Sequence, residues 1–336
     1  MKKRFIISSI AVLLLLGAFV AWKFFGASVH PPQKNYFYIS TGEDLASVRQ
    51  HLKDSQVING FTWFDWATKS IGLKTVKPGR YKIEKGTSIT DLVRMLKNGK
   101  QTPVSFVITK IRTRETLAAR IGRQFECDSL AFIRYIESAD SLQQYGLDST
   151  TVMAAAMPYT YSINWTSTPA EIFRHFHSAF EKFWTEERKA KAAALKLKPI
   201  EVVTLASIID EETNAPSDRP NIASVYLNRI AAGMPLQADP TLKYSMRNFG
   251  LKRLYNVHMR IPSPYNTYMN RGLPPGPICT PAVETIDAVL NSPKTEYYYF
   301  VASPAFDGTH VFTKNYAEHM REAKIYQAEL NKRNIR

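Results

Sequence analysis

Eighteen uncharged residues in a row, Phe5 to Trp22, rich in Ile, Val, Leu and Ala, constrain this chain more than any other feature. At 1.5 Å per residue, a helix of that length spans roughly the hydrocarbon core of a bilayer. Lys2, Lys3 and Arg4 precede the run, so the positive-inside rule keeps the N-terminus in the cytoplasm and sends the chain after about residue 30 outward. The competing reading is a cleaved signal peptide, whose apolar stretch is usually shorter and ends in a small-x-small cleavage site. Trp22, Lys23, Phe24 and Phe25 stand in that place. Residues 1–30 are therefore expected to form a cytoplasmic tip and a single transmembrane anchor in the cytoplasmic membrane, and either reading exports the rest.

Export narrows what the charge can mean. The chain has 44 Lys+Arg against 29 Asp+Glu, a net charge of +15, and leaving out Lys2, Lys3, Arg4, Lys23 and Lys34 leaves about +10 on the exported part. Such an excess attracts nucleic acid, anionic lipid or an acidic cell-wall polymer, and an extracytoplasmic location removes nucleic acid from that set. Cys127 and Cys279 form no CxxC or Cys/His cluster, which excludes a zinc site and a disulfide scaffold and leaves a single bridge open. His175 and His177 are two apart and face different sides of a helix. The chain carries no HExxH, GxxxxGK[ST] or GxSxG pattern, so neither a metal nor a cofactor is expected.

The exported chain reads as α+β. After a polar tether at 31–35, Tyr36 to Ile39 read as a strand, and Leu45, Val48 and Leu52 recur at helical spacing. The same order follows with Gly79 to Ile83 as a strand, Gly86 and Thr87 as a turn, and Ile89, Leu92, Val93 and Leu96 on a helix closed by Asn98 and Gly99. One small module is expected over 31–102, either a spacer or interaction module or one that grips substrate. Pro103 to Ile108 then form a strand, with helices at about 114–124 and 129–138. Thr168, Pro169 and Glu171 spell a helix start for a long amphipathic helix carrying Ile172, Phe173, Phe176, Phe180, Phe183 and Trp184 into the basic segment 188–198.

The most informative segment is an acidic helix end. Pro199 opens a helix through Val202, Val203, Leu205, Ile208 and Ile209 that ends in Asp210-Glu211-Glu212-Thr213-Asn214, before Pro216. Glu212 lies four residues from Ile208, three from Ile209 and seven from Leu205, so it continues the apolar stripe. An ionised carboxylate there meets both desolvation and the negative end of the helix dipole, and each raises its pKa. A carboxylic acid that keeps its proton near neutral pH is what protonation of a glycosidic leaving group requires. The segment alone also fits an ordinary solvated helix end.

Downstream loops add matching chemistry. A helix through Ile222, Val225, Tyr226 and Ile230 ends at Gly233 and is followed by Leu236-Gln237-Ala238-Asp239-Pro240-Thr241 and Tyr244. Further on come Ser263-Pro264-Tyr265-Asn266-Thr267-Tyr268 and Gly272-Leu273-Pro274-Pro275-Gly276-Pro277-Ile278. Proline-stiffened loops with amide, phenol and hydroxyl groups suit carbohydrate, whose hydroxyls bond amides and whose faces lie on tyrosine rings. Gln237, Tyr244, Asn266 and Tyr268 are the candidates for holding sugars. Asp239 joins them as a candidate and also fits a role in organising its own loop through the Asp-Pro turn.

These segments, with Ala206 to Thr213, the run Ala223 to Arg229, and an ending of strand Tyr297 to Val301, turn Asp307-Gly308 and strand His310 to Phe312, resemble the YceG-like (MltG) endolytic murein transglycosylases. The resemblance is ordered from about 200 to 320. It implies a LysM-like module at 31–102 and a mixed α/β YceG-like catalytic domain at 103–336. It also implies peptidoglycan glycan strands as substrate and peptidoglycan synthases as partners. The family's motif resembles Ser-Ile-Val-Glu-Lys-Glu-Thr and places the catalytic glutamate at Glu212, the carboxylate the stripe also selects. Two positions depart: Glu211 stands where the family has a basic residue, and Lys110-Ile111 stand where it has Glu-Gly. A negative Glu211 beside the acid is expected to raise the pKa of Glu212 further if the two are close.

In the implied reaction Glu212 protonates the leaving oxygen of the β-1,4 bond between N-acetylmuramic acid and N-acetylglucosamine. As carboxylate it then takes the proton of the C6 hydroxyl, which attacks C1 and leaves a 1,6-anhydro end, so no second carboxylate is needed. The role implied is termination of nascent strands. The rival readings are a hydrolytic muramidase using the same acid and a non-catalytic cell-wall scaffold.

Overall fold

The computed structural model describes residues 2–251 and 253–333. The fold is mixed α+β, as the sequence leads one to expect, and the chain divides into two compact units. Unit 1 comprises Met1–Ser105, Gln124–Cys127 and Ser162–Thr168; unit 2 comprises Phe106–Arg123, Asp128–Tyr161 and Pro169–Arg336.

Unit 1 begins with α1 (Lys2–Phe25), whose Arg4–Phe25 stretch is long and apolar enough to cross a membrane and is not buried in the protein. Then come β1 (Tyr36–Ile39), α2 (Leu45–Asp54), α3 (Thr62–Ile71), β2 (Gly79–Lys82) and α4 (Ile89–Asn98). β1 and β2 pair antiparallel, with Tyr36 opposite Lys82 and Ile39 opposite Gly79. Local chemistry sets the helix ends. Asp44 caps α2 by accepting from the Ser47 N–H at 2.8 Å, Ser88 caps α4 through the Asp91 N–H at 3.1 Å, and Gly99 closes α4 in a left-handed conformation at φ 68°. Alternate residues of the strands (Phe37, Ile39, Tyr81), Ile83 just after β2, and the inner faces of the helices (Val48, Leu52, Phe64, Leu92, Leu96) are buried together in one core.

Two short strands, β3 (Val104–Val107) and β4 (Thr160–Ile163), carry the chain between the units. In unit 2, α5 (Arg114–Gln124), α6 (Ser129–Glu137) and α7 (Ala139–Gln143) precede α8 (Pro169–Phe183) and α9 (Glu186–Ala194). The helix from Pro169 is shorter than the sequence suggests. It stops at Phe183, and Thr185 restarts a separate helix by accepting from the Arg188 N–H at 3.4 Å. A threonine cap thus divides a stretch whose residues favour helix on both sides of it.

The centre of unit 2 is α10 (Pro199–Glu212), with every residue from Val202 to Asp210 buried. A helix apolar on all sides is a central one. α11 (Arg219–Ala231), α12 (Asp239–Ser245) and α13 (Val283–Leu290) pack around it. An antiparallel hairpin of β5 (Tyr299–Ala302) and β6 (His310–Thr313) follows, and α14 (Tyr316–Lys332) packs on it. Its turn is the expected Asp307-Gly308, where Asp307 Oδ1 accepts from the Thr309 N–H at 3.0 Å and Gly308 takes φ 81°.

The segment Gly272 to Ile278 is threaded tightly through this unit. The Ile278 N–H donates to Ser207 Oγ of α10 at 3.0 Å, and a Cβ added at Gly276 would lie 2.0 Å from the Thr150 carbonyl oxygen. Gly276→Ala is therefore expected to destabilise unit 2 by about 1–3 kcal/mol, the usual cost of forcing backbone apart in a packed region. Calorimetry would show this as a fall in that unit's thermal midpoint, and an unchanged midpoint would contradict the close approach.

Candidate functional site

Three consecutive carboxylates end α10, and their partners separate them. Asp210 is buried, accepts from Thr285 Oγ1 at 2.7 Å, and meets Lys110 Nζ at 3.0 Å and Arg219 at 3.7 Å. Glu211 receives a two-pronged bond from Arg112, both arms at 3.0 Å, with Lys110 at 3.7 Å. Glu212 has no ion pair among the described residues. Its partner is a neutral donor, the Tyr226 hydroxyl of α11, at 2.7 Å from Oε1.

This sorting decides which acid can hold a proton. The pKa of Glu212 is raised to about 7, chiefly by desolvation. The Tyr226 bond pulls it down, the charge of Asp239 pushes it up, and the charges of Lys243 and Arg229 pull it down again. Glu212 as a whole residue is half-buried, and its carboxyl is desolvated by the side chains packed around it. Burial and the facing carboxylate also push the Tyr226 phenol far above its ordinary value, so it remains a donor.

Two expectations are corrected here. Glu211 does not load its neighbour with negative charge, because Arg112 and Lys110 neutralise it. Lys110 and Glu211, the two residues that depart from the expected pattern, face each other at 3.7 Å. The apolar stripe also fails to single out Glu212, since α10 is buried on every side. What distinguishes Glu212 is the lack of a cation in contact.

The loops beside Glu212 are tied to each other. The Gln237 N–H donates to the Thr267 carbonyl at 3.1 Å, the Ala238 N–H to Thr267 Oγ1 at 3.0 Å, and the Thr241 and Thr267 hydroxyls meet at 2.9 Å. The Tyr268 hydroxyl donates to Asp239 Oδ1 at 2.6 Å, clasping the loops from outside. Asp239 opens α12, with Pro240 in its first turn, where a loop turn was expected; an Asp-Pro pair also suits a helix start.

The sugar-holding candidates separate accordingly. Gln237 is exposed at φ 53°, and Tyr268 is half-buried beside Asp239. Asn266 is 0% exposed, its amide donating to the Met259 carbonyl at 3.0 Å and the Ile261 carbonyl at 2.8 Å, while its Oδ1 accepts from the Tyr268 N–H. Its polar atoms are spent inside the loop. Tyr244 is 7% exposed, packed on Tyr265 with ring centroids 4.7 Å apart. It lines a cavity of about 120 Å³ with Arg112, Glu211, Pro240, Lys243, Phe249 and Ile278. Among the described residues no group of three or more His, Cys, Asp or Glu is placed to hold a metal ion.

Tyr226 and Arg229 take no role from the sequence alone. Both are buried, three apart on α11. Arg229 donates to the Leu236 carbonyl and to the Tyr298 carbonyl, each at 2.7 Å, joining the 235–236 segment to the start of the hairpin. Ile222, Val225, Tyr226 and Arg229 fall at i, i+3, i+4 and i+7 of α11, so a tyrosine and an arginine continue its buried stripe, and that spacing is the signal that could have found them.

Three comparisons bear on this chain. Residues 37–325 match the family described as the YceG-like family. An endolytic murein transglycosylase of Bacillus subtilis is 31% identical over 96% of this chain and 93% of its own length. One of Streptococcus pneumoniae is 25% identical over 98% of this chain, which spans 66% of that longer relative. A crystal structure of a yceG-like protein from Listeria monocytogenes superposes with a TM-score of 0.57 at 26% identity, covering 86% of this chain and 99% of that one.

Burial of Glu212 has a stability consequence. A carboxyl at about 7 when folded and about 4.5 when unfolded binds its proton more tightly in the native state, so folding is progressively penalised as pH rises from 4.5 to 7. Glu212→Gln removes that penalty. The variant is expected to match wild type at pH 4.5 and to exceed it by roughly 3 kcal/mol above pH 7. Denaturant unfolding at the two pH values reads the difference, and equal stability at pH 8 would contradict the shift.

Proposed function

The chain belongs to the YceG-like family, and from that membership we propose that it is a membrane-anchored endolytic peptidoglycan lytic transglycosylase acting through Glu212. It cleaves the β-1,4 bond between N-acetylmuramic acid and N-acetylglucosamine within a glycan strand and leaves a 1,6-anhydro end. The observation that carries the chemistry is the pKa of about 7 at a half-buried glutamate whose hydrogen-bond partner is neutral.

The steps follow from that state. Protonated Glu212 gives its proton to the glycosidic oxygen as the bond from C1 breaks. The resulting carboxylate accepts the proton of the C6 hydroxyl on the same sugar as that oxygen bonds C1. Acid and base roles alternate on one residue, and attack from within the sugar supplies high effective molarity without an activated water. The Tyr226 hydroxyl fixes the carboxyl and supports its charged form between the steps. Gln237 and Tyr268 are assigned to the sugars, with Asp239 holding the Tyr268 hydroxyl. Tyr244 and Asn266 are assigned to supporting the loops.

A hydrolytic muramidase is the second reading, and Asp239 favours it: its charge already acts on Glu212, and a hydrolase uses a second carboxylate. For the small module we propose a LysM-like wall-binding role over 31–102, supported by its β1-α2-α3-β2 order. The catalytic domain is assigned to 103–336. α1 is assigned as an uncleaved anchor with the N-terminus cytoplasmic, since the Phe24 carbonyl accepts from Thr90 Oγ1 at 2.8 Å within unit 1 and cleavage would remove a packed element. Peptidoglycan synthases at the same membrane are proposed partners.

Purified murein digested by the protein is expected to yield anhydro-ended fragments by mass spectrometry, and none with Glu212→Gln. Fragments one water heavier would favour the muramidase, and anhydro products persisting in the variant would move the acid elsewhere. Because the acid must start protonated, kcat/KM is expected to fall as pH rises through about 7. Tyr226→Phe, which removes a bond to the charged form, is expected to move that limb upward by about 1 unit. A limb centred near the ordinary carboxylate range would contradict the assignment.

A further inference from the structure

The end of α1 is built into unit 1 through aromatic rings. Phe24 meets Trp63 of α3 edge-on, centroids 5.5 Å apart, and Phe19 meets Trp63 at 6.2 Å. Trp22 lies 6.3 Å from Phe19, and Trp63 lies 6.1 Å from Trp66. Phe19 belongs to the uncharged run, about 4.5 Å of helix rise inside Trp22. A module side chain in contact with Phe19 therefore reaches the depth at which the apolar run ends.

The core of the module takes up Trp63 in part and leaves the rest of this face of α3 spare. Phe64, Ala67 and Thr68 point inward and are buried, whereas Trp66, one turn beyond Trp63, is 59% exposed. Tryptophan is a costly side chain to leave in water, and the boundary between acyl chains and headgroups is where such rings gather in membrane proteins. Cations sit beside them. Lys23 Nζ lies 4.8 Å from the Trp22 ring centroid, and Lys69, three residues after Trp66, is exposed. That combination suits anionic headgroups.

We propose that the Trp63–Trp66 face of α3 is a membrane-docking surface, seated in the outer headgroup boundary of the bilayer that α1 spans. It rests on the anchor reading of α1. Docking fixes the orientation of the small module against the membrane, so the module is held at the surface rather than swinging on a tether.

The test uses the full chain in vesicles of phosphatidylcholine and phosphatidylglycerol whose acyl chains are brominated near the headgroup end, with tryptophan emission as the readout. The chain has five tryptophans, and Trp22, Trp63 and Trp66 are the ones placed at the boundary. Trp66→Phe is expected to remove roughly a third of the quenchable emission, with a similar loss for Trp22→Phe. Both side chains are exposed, so neither variant disturbs the core. A loss with Trp22→Phe and none with Trp66→Phe would leave the anchor standing and overturn the docking. A loss with neither would overturn the anchor reading, and the docking with it.

Discussion

A carboxyl group at the C-terminal end of a buried helix, bonded to a phenol instead of a cation, is the constraint on which unit 2 turns. Ionised, Glu212 would face desolvation and the negative end of the α10 dipole together. The Tyr226 bond at 2.7 Å offsets part of that cost and leaves the group balanced near neutrality. A lysine in contact would fix the charge, and an apolar neighbour in place of the tyrosine would leave the ionised form unsupported.

The surrounding fold keeps that balance. Lys110 and Arg112 absorb the charges of Asp210 and Glu211, so two of three adjacent acids are committed to structure. Arg229 is itself buried and acts on Glu212 only at a distance, because its guanidinium is occupied by the Leu236 and Tyr298 carbonyls. Thr267 and the Tyr268–Asp239 clasp hold the loops in register beside the acid. Positioning by hydrogen bonds to backbone carbonyls is rigid and adds no charge in contact with the carboxyl.

Local features were legible in the sequence and long-range partners were not. The apolar run at the N-terminus, the β1 and β2 positions, the Gly99 cap, the start of α10 at Pro199 and the Asp307-Gly308 turn all follow from spacing and capping chemistry within a few residues. The break at Thr185 is hidden because the Glu-, Lys- and Ala-rich stretch after it favours helix as strongly as the stretch before it. Asp239-Pro240 fits a turn and a helix start equally, and only the packed loop chooses. The stripe that points to Glu212 in the sequence is not a distinguishing feature of a helix buried on every side, so the pattern is an incomplete reason for choosing it. The real discriminator is the set of partners at 110, 112 and 226, which lie far away in sequence or on another helix. Asn266 shows the same limit: an amide in a polar loop looks free for a ligand until its two carbonyl acceptors are seen.

The central claim is that Glu212 keeps its proton at neutral pH while its two neighbours are held in ion pairs. Titration of its side-chain carboxyl by carbon-13 NMR, with the resonance identified by its loss in Glu212→Gln, measures this directly. The account predicts a midpoint at about 7, and a midpoint at about 4.5 would contradict it.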